Sequence, residues 1–189
     1  MKKLKLFGML ALTFALVFGV VSCSNGSKND DLEDVLKEDV DLSGTWEITD
    51  VDIAYDIDID GDVPADAKKQ VKESYKPTYN GKELDDLSLD ELIEYVGQEK
   101  TVTFATKEQA KASFEKLVED TKKINEQFKN GPIDYSYGVM SGKAEGSAFV
   151  EMNKDRPELI MGESLSIKVE VEGITITLST DQEVTYTKK

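Results

Sequence analysis

The sequence contains no histidine, and this absence removes several classes of chemistry. Serine–histidine–aspartate and cysteine–histidine catalysis need an imidazole, as do histidine zinc sites and the commonest route for proton transfer near neutral pH. Carboxylates, lysine and tyrosine would have to carry any reaction. Paired acids can cleave glycosidic bonds, but no motif singles out a pair among the 38 acidic residues. We therefore expect a protein that is not an enzyme and that uses no cofactor.

Cysteine is almost absent, since Cys23 is the only one in the chain. No internal disulfide can form, and the fold must be held by a hydrophobic core. The 147 residues from Ser43 to Lys189 suffice for one domain that buries roughly two-thirds of its unfolded surface. No second boundary is visible, so we expect a single domain over residues 43–189.

Positive charge is also scarce, with 23 basic against 38 acidic residues and a net charge of −15. Such a surface repels phosphate backbones and anionic headgroups. Nucleic acid is therefore excluded as a partner, and the body is not expected to lie flat on a membrane. Solubility alone can account for the acidic surface, while cation binding or a basic protein partner stays open.

The one long apolar run is at the amino terminus. Residues 6–21 are uncharged, and Lys2, Lys3 and Lys5 precede them, which is the layout of an export signal. The run ends in Val20-Val21-Ser22-Cys23. This motif resembles the lipobox of bacterial lipoproteins at all four positions.

The lipobox resemblance implies cleavage ahead of Cys23, whose sulfur then carries a thioether-linked diacylglycerol. Residues 1–22 would be the signal peptide. Two or three acyl chains, palmitate among them, would anchor the body to a membrane, because each buried methylene contributes about 0.8 kcal/mol. The alternative is an uncleaved membrane helix over 6–27, which is long enough to span. Both alternatives place the body outside the cytoplasm, in the bacterial cell envelope, at the outer membrane if the bacterium is Gram-negative.

Residues 23–42 contain few apolar side chains and many Asn, Ser, Gly, Asp and Glu. This composition predicts a lipidated, disordered tether. Leu32, Val35 and Leu36 have the spacing of one helical turn, although isolated short helices are marginal in water.

The first strand is expected to begin at Gly44 and to continue to Ile59. Trp46 and Ile48 occupy even positions, whereas the apolar residues from Val51 onward occupy odd positions. This change of phase around 49–50 predicts a β-bulge, because side chains alternate strictly between the two faces of a strand.

Two short helices are expected next. Pro64 opens the first, which ends near Tyr75. Ser88 and Glu91 form a capping box for the second, and Gly97 ends it.

The strongest predicted helix runs from Thr106 to Lys129. Thr106 and Gln109 form its capping box, and an apolar stripe at three- and four-residue steps continues to Phe128. At about 36 Å, this helix is too long to lie inside a small barrel. It is therefore expected to pack outside a sheet or to cap an incompletely closed one.

Eight strands are expected in all. Those after the first are Thr101–Ala105, Ile133–Tyr137, Ala148–Met152, Leu159–Met161, Leu165–Val171, Ile174–Ser179 and Val184–Tyr186. Turns are expected between them at 141–146, 155–157, 172–173 and 180–182. The clean alternation indicates antiparallel strands with one wet face. The predicted fold class is α+β, with a mainly antiparallel sheet and inserted helices.

The Gly44-x-Trp46 start and the strand-rich ending resemble a lipocalin-like domain. The resemblance implies an up-and-down, curled sheet or barrel of about eight strands that binds a small apolar ligand. The aromatics expected near such a ligand are Trp46, Tyr55, Tyr135 and Tyr137. Filling of the core is the alternative role for each, since small barrels can be packed solid by side chains.

The run Asp56-x-Asp58-x-Asp60-Gly61-Asp62 matches the opening of a calcium loop. Ala67 stands where such a loop has its closing glutamate. A half-buried strand with a solvated acidic face explains the same alternation. We assign no metal ligand, and calcium binding stays open.

Together these features predict a membrane-anchored lipoprotein that is not an enzyme and that binds a small apolar molecule through its sheet. The alternative is a surface interaction protein that presents an acidic face to a host or envelope protein. A cavity of about 300 Å³ or more would support the first, and a solid interior would favour the second.

Overall fold

The computed structural model describes residues 30–137, 140–153 and 155–189 and shows an α+β fold with one large antiparallel sheet. The strands of this sheet are β1 (Asp30–Asp31), β2 (Gly44–Asp60), β5 (Thr101–Phe104), β6 (Ile133–Tyr137), β7 (Met140–Asn153), β8 (Glu158–Val171) and β9 (Ile174–Lys188). A separate hairpin joins β3 (Thr78–Tyr79) and β4 (Lys82–Glu83). The helices are α1 (Leu32–Lys37), α2 (Ala65–Ser74), α3 (Leu89–Val96) and α4 (Lys107–Phe128), with a 3₁₀ turn at Leu84–Asp86.

The sheet is a strongly curled half-barrel. Its strand order is β1-β7-β8-β9-β2-β5, and β6 also pairs with β7. Strands β6 to β9 form an antiparallel meander, after which the first long strand, β2, pairs with the last strand, β9. The predicted antiparallel, curled sheet is confirmed. Within the described ranges its edges, β5 on one side and β7 with β1 and β6 on the other, do not pair with each other.

Strand β2 contains the predicted bulge. Its pairing with β9 shifts register between Ile48 and Asp50, so Thr49 is the extra residue. Trp46 before the bulge and Val51 after it are both buried, at 1% and 6% exposure. The extra residue therefore returns the apolar side chains to the same face of the sheet.

The expectation of eight separate strands is wrong. Residues 141–146, predicted to be a turn, belong to β7, while the predicted strands at 159–161 and 165–171 are one strand, β8. The last two predicted strands are likewise joined in β9. The polar residues between them keep the alternation of faces, so they lie within a strand without ending it. The predicted turns at 155–157 and 172–173 are confirmed.

The hydrophobic core lies between one half of the sheet and helices α1, α3 and α4. At its centre, the Trp46 indole donates from Nε1 to the Leu42 carbonyl at 3.0 Å and meets the Phe114 ring edge-on at 5.5 Å. Helix α4 buries Ala110, Phe114 and Val118, and it contacts both β5 and β7. The long helix thus caps an incompletely closed sheet, the second of its two predicted arrangements.

The segment before the first long strand departs from the prediction of a disordered tether over 23–42. Strand β1 pairs with β7, and α1 buries Leu32, Val35 and Leu36 at 0, 0 and 8% exposure. The prediction is therefore wrong for residues 30–42, while residues 23–29 lie outside the described part. The helical stripe packs against α4 and β7, which supplies the stabilisation that an isolated helical turn lacks.

The helix ends follow their local signals. Ser88 and Glu91 form the predicted capping box of α3, which ends at Gly97 with a left-handed φ of 66°. The Thr106 hydroxyl accepts from the Gln109 backbone N–H at 3.3 Å and so caps α4. The short helix α2 also lies within its predicted bounds.

One side chain of α4 takes the place of a strand at the outer edge of β7. Strand β6 pairs with residues 140–144 of β7, and β1 pairs with residues 151–152, which leaves a gap between them. In this gap the Asn125 amide donates to the Ala148 carbonyl at 2.7 Å, and the Ala148 N–H donates to Asn125 Oδ1. The amide therefore satisfies both backbone groups of Ala148 and joins α4 to the sheet.

Replacing Asn125 by alanine is expected to lower the free energy of unfolding by about 1–3 kcal/mol, because it leaves two partly buried backbone groups without partners. Asn125→Asp is expected to be no better, since a carboxylate oxygen would then face the Ala148 carbonyl. Urea unfolding of each variant measures both changes.

The matched control is Lys116→Ala on the exposed face of the same helix, where a change within about 0.5 kcal/mol is expected. Equal effects of Asn125→Ala and Lys116→Ala would show that the amide does not connect helix and sheet.

Candidate functional site

The inner, concave face of the sheet is built from cross-strand rows with one residue per strand. Register places Val51, Val184, Met161 and Val150 in one row, and all four belong to the core or pack against it. Further along the same strands the inner rows are again apolar, but the core cluster does not include them. We call this part the open half of the inner face; its members are Leu165, Ile167, Val169 and Val171 of β8, Ile174, Ile176 and Leu178 of β9, and Ile57 and Ile59 of β2.

The strands that form the open half are apolar on their inner face only. On the convex face the same stretches of β8 and β9 carry Ser164, Ser166, Thr175, Thr177 and Ser179. The side chains of β9 are partly exposed on both faces from Ile174 to Glu183. The inner face therefore has the pattern of a buried surface while it remains partly open, which makes it a candidate binding surface.

Helix α4 lies close to β7. A Cβ on Gly146 would lie 3.1 Å from Cε2 of Phe128, so the end of the helix closely approaches the strand backbone. The inner residues of β7 at this level are small, namely Ala144, Gly146 and Ala148, which permits the approach. The larger apolar side chains of the open half stay outside the core cluster that α4 helps to form.

Tyr55 and Ile133 mark two sides of the open half. The Tyr55 hydroxyl donates to the Asp85 carboxylate at 3.1 Å, and its ring meets Tyr75 edge-on at 6.1 Å. Partial desolvation and the bond to Asp85 raise the pKa of Tyr55, so the hydroxyl stays a donor. On the other side, Ile133 of β6 faces inward opposite Ala144 and is 41% exposed.

Glu163 is the polar exception on the inner face of β8. It lies between Met161, which packs against the core, and Leu165, which begins the open half. Its cross-strand neighbours are Gln182 on β9 and Ala148 on β7. A carboxyl group and an amide thus lie side by side on neighbouring strands, at the boundary between the core and the open half of the inner face.

The side chain of Glu163 is partly buried among these neighbours. Burial raises the pKa of Glu163 to about 8, and no neighbouring charge contributes to this shift. Within the part of the chain that the structure describes, no hydrogen bond or ion pair involves this carboxyl. Near neutral pH the group is mostly protonated and can both donate and accept a hydrogen bond.

Of the four aromatics predicted to line a ligand site, the structure describes the side chains of Trp46 and Tyr55, and these lie apart. Trp46 is a core residue at 1% exposure, whereas Tyr55 lies beside the open half. Tyr135 and Tyr137 lie in β6, and their backbone positions pair with Gly142 and Met140 of β7. Their side chains are outside the part that the structure describes.

The acidic run does not form a loop. Strand β2 stays extended to Asp60, so alternate carboxylates lie on the convex face roughly 7 Å apart. One of them, Asp56, pairs with Lys72 of α2 at 2.9 Å. Among residues 30–137, 140–153 and 155–189, no group of three or more potential ligands could hold a metal ion. The pattern that resembles a calcium loop is the polar side of a strand.

A separate groove of about 420 Å³ lies between α1 and α4. Its walls are mostly charged, and the pair formed by Lys122 and Glu33 joins the two helices there. Leu36 and Val118 supply its apolar part. The six charged side chains that line this groove distinguish it from the open half, whose inner face is apolar.

Sequence reasoning missed both Glu163 and Gln182. A usable signal was present, because the odd positions from Leu159 to Val171 are apolar except for Glu163. The even positions from Ile174 to Tyr186 are interrupted in the same way by Thr180 and Gln182. Placing a strand break at each polar interruption hid the fact that these side chains face inward.

The chain matches no protein-family model, no curated protein and no solved structure. Cys23 and the predicted signal peptide precede the first described residue. None of the helices in the described ranges is both long and apolar enough to cross a bilayer.

Glu163→Gln is expected to stabilise the fold by an amount that grows with pH. The unfolded chain releases this proton at about pH 4.3, whereas the folded protein holds it until about pH 8. Folding stability therefore falls as pH rises through this interval, and glutamine abolishes that loss. We expect a gain near pH 8 about 2–4 kcal/mol larger than the gain near pH 5.

Urea unfolding at a series of pH values measures this difference. Glu170→Gln, on the exposed convex face of the same strand, is the matched control and is expected to show no such trend. A Glu163→Gln gain that is the same at both pH values would contradict the burial argument.

Proposed function

We propose that this protein is a lipid-anchored, extracytoplasmic bacterial lipoprotein that binds a small apolar molecule on the open half of its inner sheet face. One observation carries the binding proposal. Eight partly exposed apolar side chains, together with the buried Ile57, face the concave side of a curled sheet and stay outside the main core cluster around Trp46.

An apolar surface of this kind costs free energy when it is left in water. Each square ångström of apolar area removed from water contributes about 25 cal/mol, so a ligand that covers several of these side chains gains substantial binding energy. Soluble proteins rarely keep a contiguous apolar patch unless it binds something. The curvature of the sheet favours a small ligand over a flat protein surface.

The lipocalin-like assignment is part of the same proposal. It is supported by the Gly44-x-Trp46 start, by the burial of Trp46 near one end of the half-barrel, and by the pairing of the first long strand with the last. The open edge and the capping helix give this chain a concave face in place of a closed barrel.

The proposed role is binding without catalysis. The sequence has no histidine, and a glycosidase would need two carboxyl groups on either side of the bond that is cleaved. The carboxyl with the most raised pKa, Glu163, faces Gln182 and has no acidic neighbour that contributes to the shift. These features support a ligand-binding role.

Binding is tested with the neutral fluorescent probe N-phenyl-1-naphthylamine, whose emission rises in apolar surroundings. Ile167 and Leu178 face each other across β8 and β9 in the open half. Asparagine at either position is expected to weaken probe binding about tenfold or more, because each large apolar side chain that is covered contributes about 1.5–3 kcal/mol.

The matched control is the cross-strand pair Ser166 and Ser179, which lies on the convex face of the same two strands. Asparagine at those positions is expected to leave binding within about twofold of wild type. Equal loss in both pairs, or no binding by the wild-type protein, would argue against the open half as the site.

The membrane anchor depends on Cys23. We expect the protein isolated from bacterial membranes to begin at a diacylglyceryl-modified Cys23, since the lipobox specifies cleavage at that bond. Mass spectrometry of the amino-terminal peptide checks this. Cys23→Ala is expected to abolish the adduct, whereas the nearby control Ser27→Ala retains it. An unmodified Cys23 in wild-type membranes would remove the anchor from the proposal.

A second candidate is an interaction protein that presents its acidic convex face to a basic partner. Burial, together with Asp52, Asp50 and Glu151, raises the pKa of Glu183 on this face. A basic partner would relieve this repulsion between carboxylates. Salt-sensitive association distinguishes this candidate from apolar binding, because exposed charges are screened over about 10 Å at 0.1 M salt.

A further inference from the structure

Glu163 has a position that the packing of the domain does not explain. Every other inner-facing residue of β8 from Leu159 to Val171 is apolar. An ionised carboxylate in such surroundings is costly unless a cation or several hydrogen bonds compensate it. The described part of the protein supplies neither.

The groups that face Glu163 from the surrounding elements are mostly uncharged. The inner residues on its own row and the two adjacent rows are Met161 and Leu165 on β8, Thr180, Gln182 and Val184 on β9, Gly146, Ala148 and Val150 on β7, and Val51, Ile53 and Tyr55 on β2. Among them only Tyr55 titrates, and its hydroxyl is bonded to Asp85. On α4, the residues beside this row are Asn125, which is bonded to Ala148, and Phe128, which lies against Gly146. The charged residues near them form ion pairs at the surface: Lys122 with Glu33, Lys123 with Glu119 and Asp120, and Lys129 with Glu126.

This arrangement provides two acceptors beside an apolar surface. The carboxylate of Glu163 and the amide oxygen of Gln182 lie in the same row of the inner face. The open half begins at the next residue on the same side of β8, Leu165. From residue 163 to residue 167 the strand advances roughly 13 Å, a span suited to a medium-length alkyl or aryl group.

We propose that the ligand of the open half is a cationic amphiphile, whose protonated amine binds Glu163 and Gln182 while its apolar body lies on Leu165, Ile167 and Leu178. This inference rests on the proposed function and adds the chemistry of the head group. The net charge of −15 also favours a cation over an anionic amphiphile such as a fatty acid.

The test uses three molecules with the same tail: decylamine, decan-1-ol and decanoate. Each displaces N-phenyl-1-naphthylamine from the full-length protein, and the concentration for half displacement is measured. Decylamine is expected to act at a concentration about tenfold lower than decanol, because a hydrogen bond to a charged group contributes more than a neutral one. Decanoate is expected to be the weakest of the three.

Glu163→Gln is expected to remove the difference between amine and alcohol, while Glu170→Gln on the convex face retains it. A wild-type protein that binds amine and alcohol equally would overturn the proposal, as would a Glu163→Gln variant that keeps the tenfold preference.

The pH dependence of the wild-type protein supplies a second measurement that needs no variant. An alkylammonium stays protonated across roughly pH 5–9, as lysine does. The preference for amine over alcohol is therefore expected to grow as Glu163 ionises toward higher pH. A preference that does not change with pH would contradict a role for this carboxyl.

Failure of this inference can be told apart from failure of the binding proposal. If decanol displaces the probe but decylamine does so no better, the open half binds apolar molecules and only the head-group assignment is wrong. If neither the probe nor decanol binds, the proposed function itself fails.

Discussion

The fold depends on how much of a long sheet one helix can cover. Strands β2, β8 and β9 contain 17, 14 and 15 residues and extend roughly 46–56 Å at about 3.3 Å per residue. The 22 residues of α4 extend only about 33 Å, and they contact both β5 and β7. The helix therefore caps one half of the inner face, around Trp46, and leaves the other half partly exposed except at β2, where α2 packs near Asp56 and Ile57 is buried.

Two polar side chains show how the boundary between these halves is built. Asn125 of α4 satisfies the N–H and C=O groups of Ala148, so the gap at the edge of β7 is closed by hydrogen bonds. Glu163 lies opposite Ala148 on the neighbouring strand and has no partner among the described residues. One partly buried polar group thus stabilises the helix–sheet contact, whereas the other lowers folding stability near neutral pH unless a ligand compensates it.

Local sequence signals predicted where helices end and where β2 has its bulge, but they did not predict the number of strands. The capping box at Ser88, the αL residue at Gly97 and the phase change at Thr49 depend on neighbours within a few residues, and all are present in the structure. The strand count failed because short polar stretches were taken as turns. Within a long antiparallel strand, such stretches place one side chain on the wet face and one inside, and pairing with two neighbours holds them extended.

The amino-acid sequence by itself determined the antiparallel alternation, the helix boundaries and the bulge in β2, because each is set by residues close together in the chain. Tertiary structure decided which of the alternating faces belong to the core, and it made α1 a folded helix where a disordered tether was expected. It also placed Glu163 and Gln182 on neighbouring strands beside an open apolar surface. The physical reason is that burial depends on what packs against a face from distant parts of the chain. Periodicity shows that a face is apolar, but the helices that pack on it, α4 above all, determine which part of it is covered.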